Sequence, residues 1–148
     1  MGTNVSIETD VLEALRMDPR LPHPEEVAAA VDDDAVTLRG TVGSFKQRRA
    51  AVSDARNVDG VQYVYDDLSV RLLDAARRSD AEMRGMVLQA IAWDAEAPAD
   101  LIDVKVSDGW VTLSGTVNYQ FQSDAAYEDV ANLFSVVGIT NEIKVVNP

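Results

Sequence analysis

Few residues in this chain could do chemistry. The single histidine, His23, lies between Pro22 and Pro24. A general base needs a positioned partner and a substrate proton within hydrogen-bond reach. No nucleophile pattern accompanies His23, so it reads as a solvated loop residue. The chain has no cysteine, which excludes disulfides, thiolate metal sites and cysteine nucleophiles together. Asp32-Asp33-Asp34 offers the hard oxygen donors that cations prefer, but without calcium-loop spacing or a bidentate glutamate. Gly40 and Gly115 stand alone inside strand patterns and cannot cradle a phosphate. Neither catalytic residues, nor a metal site, nor a cofactor is expected. The remaining cluster is basic: Lys46, Arg48, Arg49 and Arg56 share one segment, with Arg39 just before it. Its chemistry would be docking on anionic lipid headgroups or an acidic partner; the plainer account is a solvated helix face.

Composition narrows the field further. Of 148 residues, 47% are hydrophobic and 26% charged, as in globular domains. Net charge is −12, and each half carries −6, with 8 basic against 14 acidic residues up to Asp74 and 5 against 11 after it. That balance opposes nucleic acid as a partner, because such binding draws its affinity from Lys and Arg on phosphates. The first residues show no basic and apolar leader pattern, and no apolar run approaches the ~20 residues of a membrane span. The expected location is the cytoplasm as the sequence stands, or the envelope if an export signal has been removed. Met1-Gly2 through Ser6 formally fits a myristoylation pattern, and an ordinary start is the preferred account.

The elements that must position these residues come in two copies. Ala35-Val-Thr-Leu-Arg-Gly-Thr-Val42 returns as Trp110-Val-Thr-Leu-Ser-Gly-Thr-Val117, 75 positions later. At the same offset Gln47, Ala50, Ala51, Asp54 and Asn57 meet Gln122, Ala125, Ala126, Asp129 and Asn132. Earlier the offset is 76, where Ile7, Val11, Leu15 and Asp18 meet Met83, Val87, Ile91 and Asp94. The pattern predicts two domains, 1–74 and 75–148, joined by the short Ala75–Ser79 stretch. Each begins with an amphipathic helix capped at Thr9 or Asp10, and at Ser79 or Asp80. A strand follows, turning at Asp33-Asp34 or Asp108-Gly109, where Asp-Gly is a strong hairpin signal. After the repeated strand comes a second helix, about Ser44–Asn57 and Tyr119–Leu133, then a closing strand, Val61–Val70 and Val136–Val145. The fold class is α+β: two tandem αββαβ units, each a three-stranded mixed sheet with two helices on one face. A glycine inside a strand marks a close backbone approach. Ala50-Ala51 and Ala125-Ala126 are the expected partners, a small-residue helix face resting on Gly40 and on Gly115.

These residues resemble the BON domain family, named for bacterial osmotically-inducible and nodulation proteins. The match is carried by Val-Thr-Leu-x-Gly-x-Val, ending at Val42 and at Val117, and by Gly60-Val61-x-x-Val64-x-Asp66-x-Leu68-x-Val70 with its copy Ser135 to Val145. The family usually has asparagine where Asp66 stands and glycine where Ser135 stands. The resemblance covers nearly the whole chain. It implies envelope stress, binding of phospholipid surfaces or hydrophobic ligands and, in one branch, potassium sensing; it supplies no catalytic residues.

Function is therefore expected to be that of a non-enzymatic, stress-associated module binding phospholipid, a hydrophobic ligand or a partner protein; a cation-sensing, potassium-like module is the alternative. Its candidate surface comprises Arg39, Lys46, Arg48, Arg49 and Arg56 with Tyr65 and Trp110. The outer sheet faces pair small side chains with one tryptophan and one tyrosine, and a single unit of this size has a marginal core. Packing through those faces, between the two units or between two copies of the chain, is the corresponding expectation.

Overall fold

The structure, a computed structural model, describes residues 4–73 and 76–146. The expected domain break between 74 and 75, and the myristoylation pattern at Met1-Gly2, lie outside these residues. The chain divides into two compact units, 1–71 and 72–148. The first contains α1 (Asn4–Met17), β1 (Val27–Asp32), β2 (Ala35–Val42), α2 (Phe45–Arg56) and β3 (Tyr63–Val70). The second repeats it with α3 (Asp80–Trp93), β4 (Ile102–Ser107), β5 (Trp110–Val117), α4 (Gln120–Ala131) and β6 (Gly138–Val145). In each sheet the repeated strand is central, antiparallel to its hairpin partner and parallel to the closing strand. A helical crossover between parallel neighbours imposes that arrangement.

Both cores follow the two periodicities. Ile7, Val11 and Leu15 of α1, and Met83, Val87 and Ile91 of α3, are buried against Val36, Leu38 and Val42 or Val111, Leu113 and Val117. Burying each such side chain is worth about 1.5–3 kcal/mol. Ser44 caps α2, its Oγ accepting from Gln47 N at 3.1 Å, and Ser79 caps α3 by accepting from Glu82 N at 3.1 Å. The cap expected at Thr9 or Asp10 does not form, because α1 is already helical at Asn4. Thr9 Oγ1 instead donates back to Val5 O at 2.9 Å. The earlier start has a use: Asn4 Oδ1 accepts from Asp33 N in the first hairpin turn at 3.0 Å. In the second unit the equivalent Asp80 accepts from Asp108 N at 3.0 Å and Gly109 N at 3.3 Å. The turns differ accordingly. Asp108 and Gly109 both have positive φ, 50° and 81°, whereas in the first turn only Asp33 does, at 55°. The closing strands begin two residues later than expected, since Gln62 and Tyr63 spend their amides on Asp34 O, and Val137 spends its amide on Gly109 O.

The repeated glycines have a different partner from the one expected. Gly40 and Gly115 have φ of +126° and +128°, and a Cβ there would overlap the carbonyl oxygen of Glu26 or of Leu101. Those carbonyls belong to the 3₁₀ turns Pro24–Glu26 and Ala99–Leu101, which lead directly into β1 and β4. The glycine therefore admits the backbone that starts the hairpin partner, in a conformation only glycine adopts cheaply. Ala50, Ala51 and Ala126 are buried in the cores, and Ala125 is half-buried.

Candidate functional site

The basic segment is largely engaged within its own unit. Arg48 Nε donates to Asp66 Oδ2 at 2.7 Å, with both side chains about three-quarters buried, and Asp66 Oδ1 in turn accepts from Leu68 N at 3.0 Å. The second unit uses neutral groups at the same positions: Asn141 Nδ2 donates to Ser123 Oγ at 3.0 Å and Asn141 Oδ1 accepts from Ile143 N at 3.1 Å. Arg48 thus ties α2 to β3. Arg39 lies beside its cross-strand neighbour Asp67 at 3.6 Å. Lys46, Arg49 and Arg56 are exposed on α2. Tyr65 is exposed on the outer sheet face. Trp110 lies on that face of the second unit, its Nε1 donating to Thr140 Oγ1 at 2.7 Å, and its ring lies where a Cβ on Gly138 would go. Half of its cover therefore comes from its own sheet. The candidates are spread over a helix of one unit and the sheets of both, and the structure does not draw them into one site.

His23 Nδ1 sits 3.2 Å from Glu25 Oε1, both exposed. Asp32 and Asp33 are exposed at the hairpin tip. Among the described residues, no three His, Cys, Asp or Glu side chains converge on a point where a metal could bind.

Two features escaped the sequence reading. The first is a pair of aspartates in each unit. Asp18, after α1, is buried and gripped by Arg20, whose Nε and Nη2 donate to its two oxygens at 3.0 and 2.8 Å. That guanidinium holds the Asp18 carboxyl well below the usual carboxylate range. Asp54 of α2 hydrogen-bonds Asp18 and stands 3.5 Å from Arg20 Nη2. Burial, then the Asp18 charge, push Asp54 up to about 7. In the second unit Asp129 of α4 is pushed to about 7 by burial and by its hydrogen bond to Asp94, with Glu128 adding to the effect. Glu96 occupies the place of Arg20. The offsets that align Asp18 with Asp94 and Asp54 with Asp129 were visible, but only the fold shows that the two members of each pair meet.

The second is an apolar outward face on α3. While Met83, Val87 and Ile91 point into the core, Gly85, Met86, Ala90 and Trp93 recur on a neighbouring stripe of the same helix. With Leu133 they line a groove of about 720 Å³. Trp93 is 80% exposed at its end, although large apolar side chains left in water usually mark a contact surface. The corresponding residues of α1 are Thr9, Asp10, Ala14 and Met17, so the first unit lacks this face. A helix hydrophobic on two stripes was the missed signal: the four-residue repeat accounted for one, and the second hid in the remainder.

The sequence profile of the BON domain family matches residues 3–71 and 79–147. Osmotically-inducible protein Y of Escherichia coli (strain K12) is 34% identical over 125 residues, which cover 80% of this chain and 61% of that protein. The chain thus matches about three fifths of that relative's length. Among solved structures, CdsD, a structural protein of the type III secretion system of Chlamydia trachomatis, is 10% identical, covering 99% of this chain and 65% of that one, with a TM-score of 0.41. Its C-terminal domain alone is 8% identical, covering 98% of this chain and 100% of that one, with a TM-score of 0.39.

Proposed function

The chain belongs to the BON domain family, with two copies in tandem, and from that premise we propose that it is a non-enzymatic, stress-associated module that binds an apolar ligand or partner through the second unit. The observation that carries this is the groove of α3, floored by Met86 and Ala90 and ended by Trp93. A mostly apolar concavity with few polar groups suits an acyl chain or an apolar side-chain cluster. Charge argues the same way: at −12 the chain is repelled by anionic headgroups. The cations of α2 do not outweigh that, since Arg48 is committed to Asp66. Stress association follows the osmotically-inducible relative, and an envelope location would accompany it. No described helix is long and apolar enough to cross a membrane.

The test uses the neutral fluorophore N-phenyl-1-naphthylamine and phosphatidylcholine vesicles. Wild type should bind both, the Trp93 emission moving to the blue in a Trp110→Phe background. Met86→Glu, a change on the exposed stripe, should reduce binding at least tenfold. Lys46→Glu/Arg56→Glu should leave it unchanged. Probe binding that survives Met86→Glu, or no binding at all, overturns the reading. Substituting potassium or calcium for the probe, with melting temperature as readout, tests the cation-sensing alternative, because a ligand bound only by the folded state raises apparent stability.

A further inference from the structure

Each unit hides two aspartates that link the end of its first helix to its second helix, and the two pairs are secured differently. In the first unit Arg20 sits between Asp18 and Asp54. In the second, Asp94 and Asp129 hydrogen-bond one another with Glu96 where the arginine would be. Two carboxyl groups can share a hydrogen bond only while one of them keeps a proton. One oxygen of Asp129, Oδ2, is shut off from solvent and has no hydrogen-bond partner, so a full charge on it would go unsolvated.

We propose that the Asp94–Asp129 pair is a proton-held tie that keeps the α3 groove formed and releases it as pH rises through neutrality. This rests on the binding role of that groove. The connectivity supplies the coupling. Asp94 closes α3, its amide donating to Ile91 O at 3.1 Å, and it directly follows Trp93. Asp129 lies in the last turn of α4, four residues before Leu133. Trp93 and Leu133 are two of the groove's lining residues, so the two aspartates hold together the segments that bear its end and its flank.

The surrounding charges leave the pair without a cation. Glu128 on the same helix adds negative charge. Glu96 donates only its amide to Asp94 Oδ1, at 2.9 Å. Asp80, Glu82 and Arg84 lie in the first turns of α3, at its other end. Strand β5 carries no charged side chain, and Glu142 and Lys144 of β6 share the outer sheet face with Trp110. When the shared proton leaves, repulsion replaces attraction. In the first unit Arg20 remains to bridge the two carboxylates, so that unit stays closed.

Three measurements on the full chain test this. The ¹³C carboxyl shift of Asp129 should titrate with a midpoint near 7, against the ordinary aspartate value of about 4. Over pH 5.5 to 8.5 the protection factors of the Asp94 and Ala97 amides, normalised for intrinsic exchange, should fall at least tenfold. Affinity for the neutral fluorophore should fall at least threefold over the same range. Asp129→Asn keeps a hydrogen bond without a proton to lose, and should abolish both pH effects. Glu96→Arg installs the first unit's bridge and should hold protection at high pH. A carboxyl midpoint near 4, or pH-independent protection in wild type, overturns the tie. If no probe binds at any pH while carboxyl shift and protection titrate as described, the groove's binding role fails and the regulation of binding proposed here fails with it; the tie alone then stands.

Discussion

The role of the repeated glycine can be tested at Gly115. A Gly115→Ala side chain would sit at φ +128° and overlap the Leu101 carbonyl. Holding a non-glycine residue in such a region costs about 1–3 kcal/mol. The carbonyl is backbone and cannot swing aside, so relieving the overlap also strains the Ile102↔Gly115 pairing, at about 1–1.5 kcal/mol for a ladder hydrogen bond. Together this is about 3–4 kcal/mol. A unit of this size has about 4–11 kcal/mol to lose, at 0.05–0.15 kcal/mol per residue. Gly85→Ala is the control: a Cβ there meets nothing within 4 Å in α3, and it should stabilise by about 0.5–1 kcal/mol. The assay is urea unfolding followed by tryptophan fluorescence and circular dichroism. Both tryptophans, Trp93 and Trp110, are in the second unit, so fluorescence follows that unit alone. Gly115→Ala should move the fluorescence transition to much lower urea, and Gly40→Ala should move only the dichroism of the first unit. Adding Ala126→Gly to Gly115→Ala should not help, because the obstacle is the carbonyl. Rescue by Ala126→Gly, or wild-type stability of Gly115→Ala, would refute the reasoning.

Four further outcomes follow from the same geometry. Asp80→Ala removes two acceptors from the second hairpin turn and should cost about 1–2 kcal/mol, against about 0.5–1 for Asn4→Ala, read by the same unfolding transitions. Arg48→Ala should destabilise the first unit by about 1 kcal/mol, as expected for a partly buried ion pair, leaving the fluorescence transition of the second in place. Gly138→Ala would push the Trp110 indole off its strand and break its bond to Thr140, giving a red-shifted emission. For Asp54 and Asp129, folded values near 7 lie above the unfolded value. The folded state thus holds protons the unfolded state has released, and stability falls as pH rises from about 4 to 7. Discounted for partial exposure, each group is worth about 1–2 kcal/mol. Asp18, depressed by Arg20, acts oppositely and costs stability only as pH drops below the usual carboxylate range. Thermal melts across pH 3 to 8 should show the decline toward neutrality, and Asp54→Asn/Asp129→Asn should flatten it.

Most of the architecture was legible because it rests on period and repetition. The four-residue spacing of Ile7, Val11 and Leu15, the alternation through Val36, Leu38 and Val42, and the 75-residue echo define helices, strands and two units without reference to space. Local chemistry was readable too: Ser44 and Ser79 cap their helices, and Asp108-Gly109 turns its hairpin. What the linear order withheld were meetings between residues distant in the chain. It placed a glycine at a close approach but assigned the approach to helix alanines, whereas the Glu26 and Leu101 carbonyls make it. It counted Arg48 as a surface cation, though the parallel crossover sets Asp66 beside it. It aligned four aspartates without pairing them, and saw in α3 the stripe that enters the core but not the one left facing water. Periodicity records which residues a single element turns inward. Which groups then share a proton, a charge or a groove depends on how elements pack against each other, and only the tertiary structure decides that.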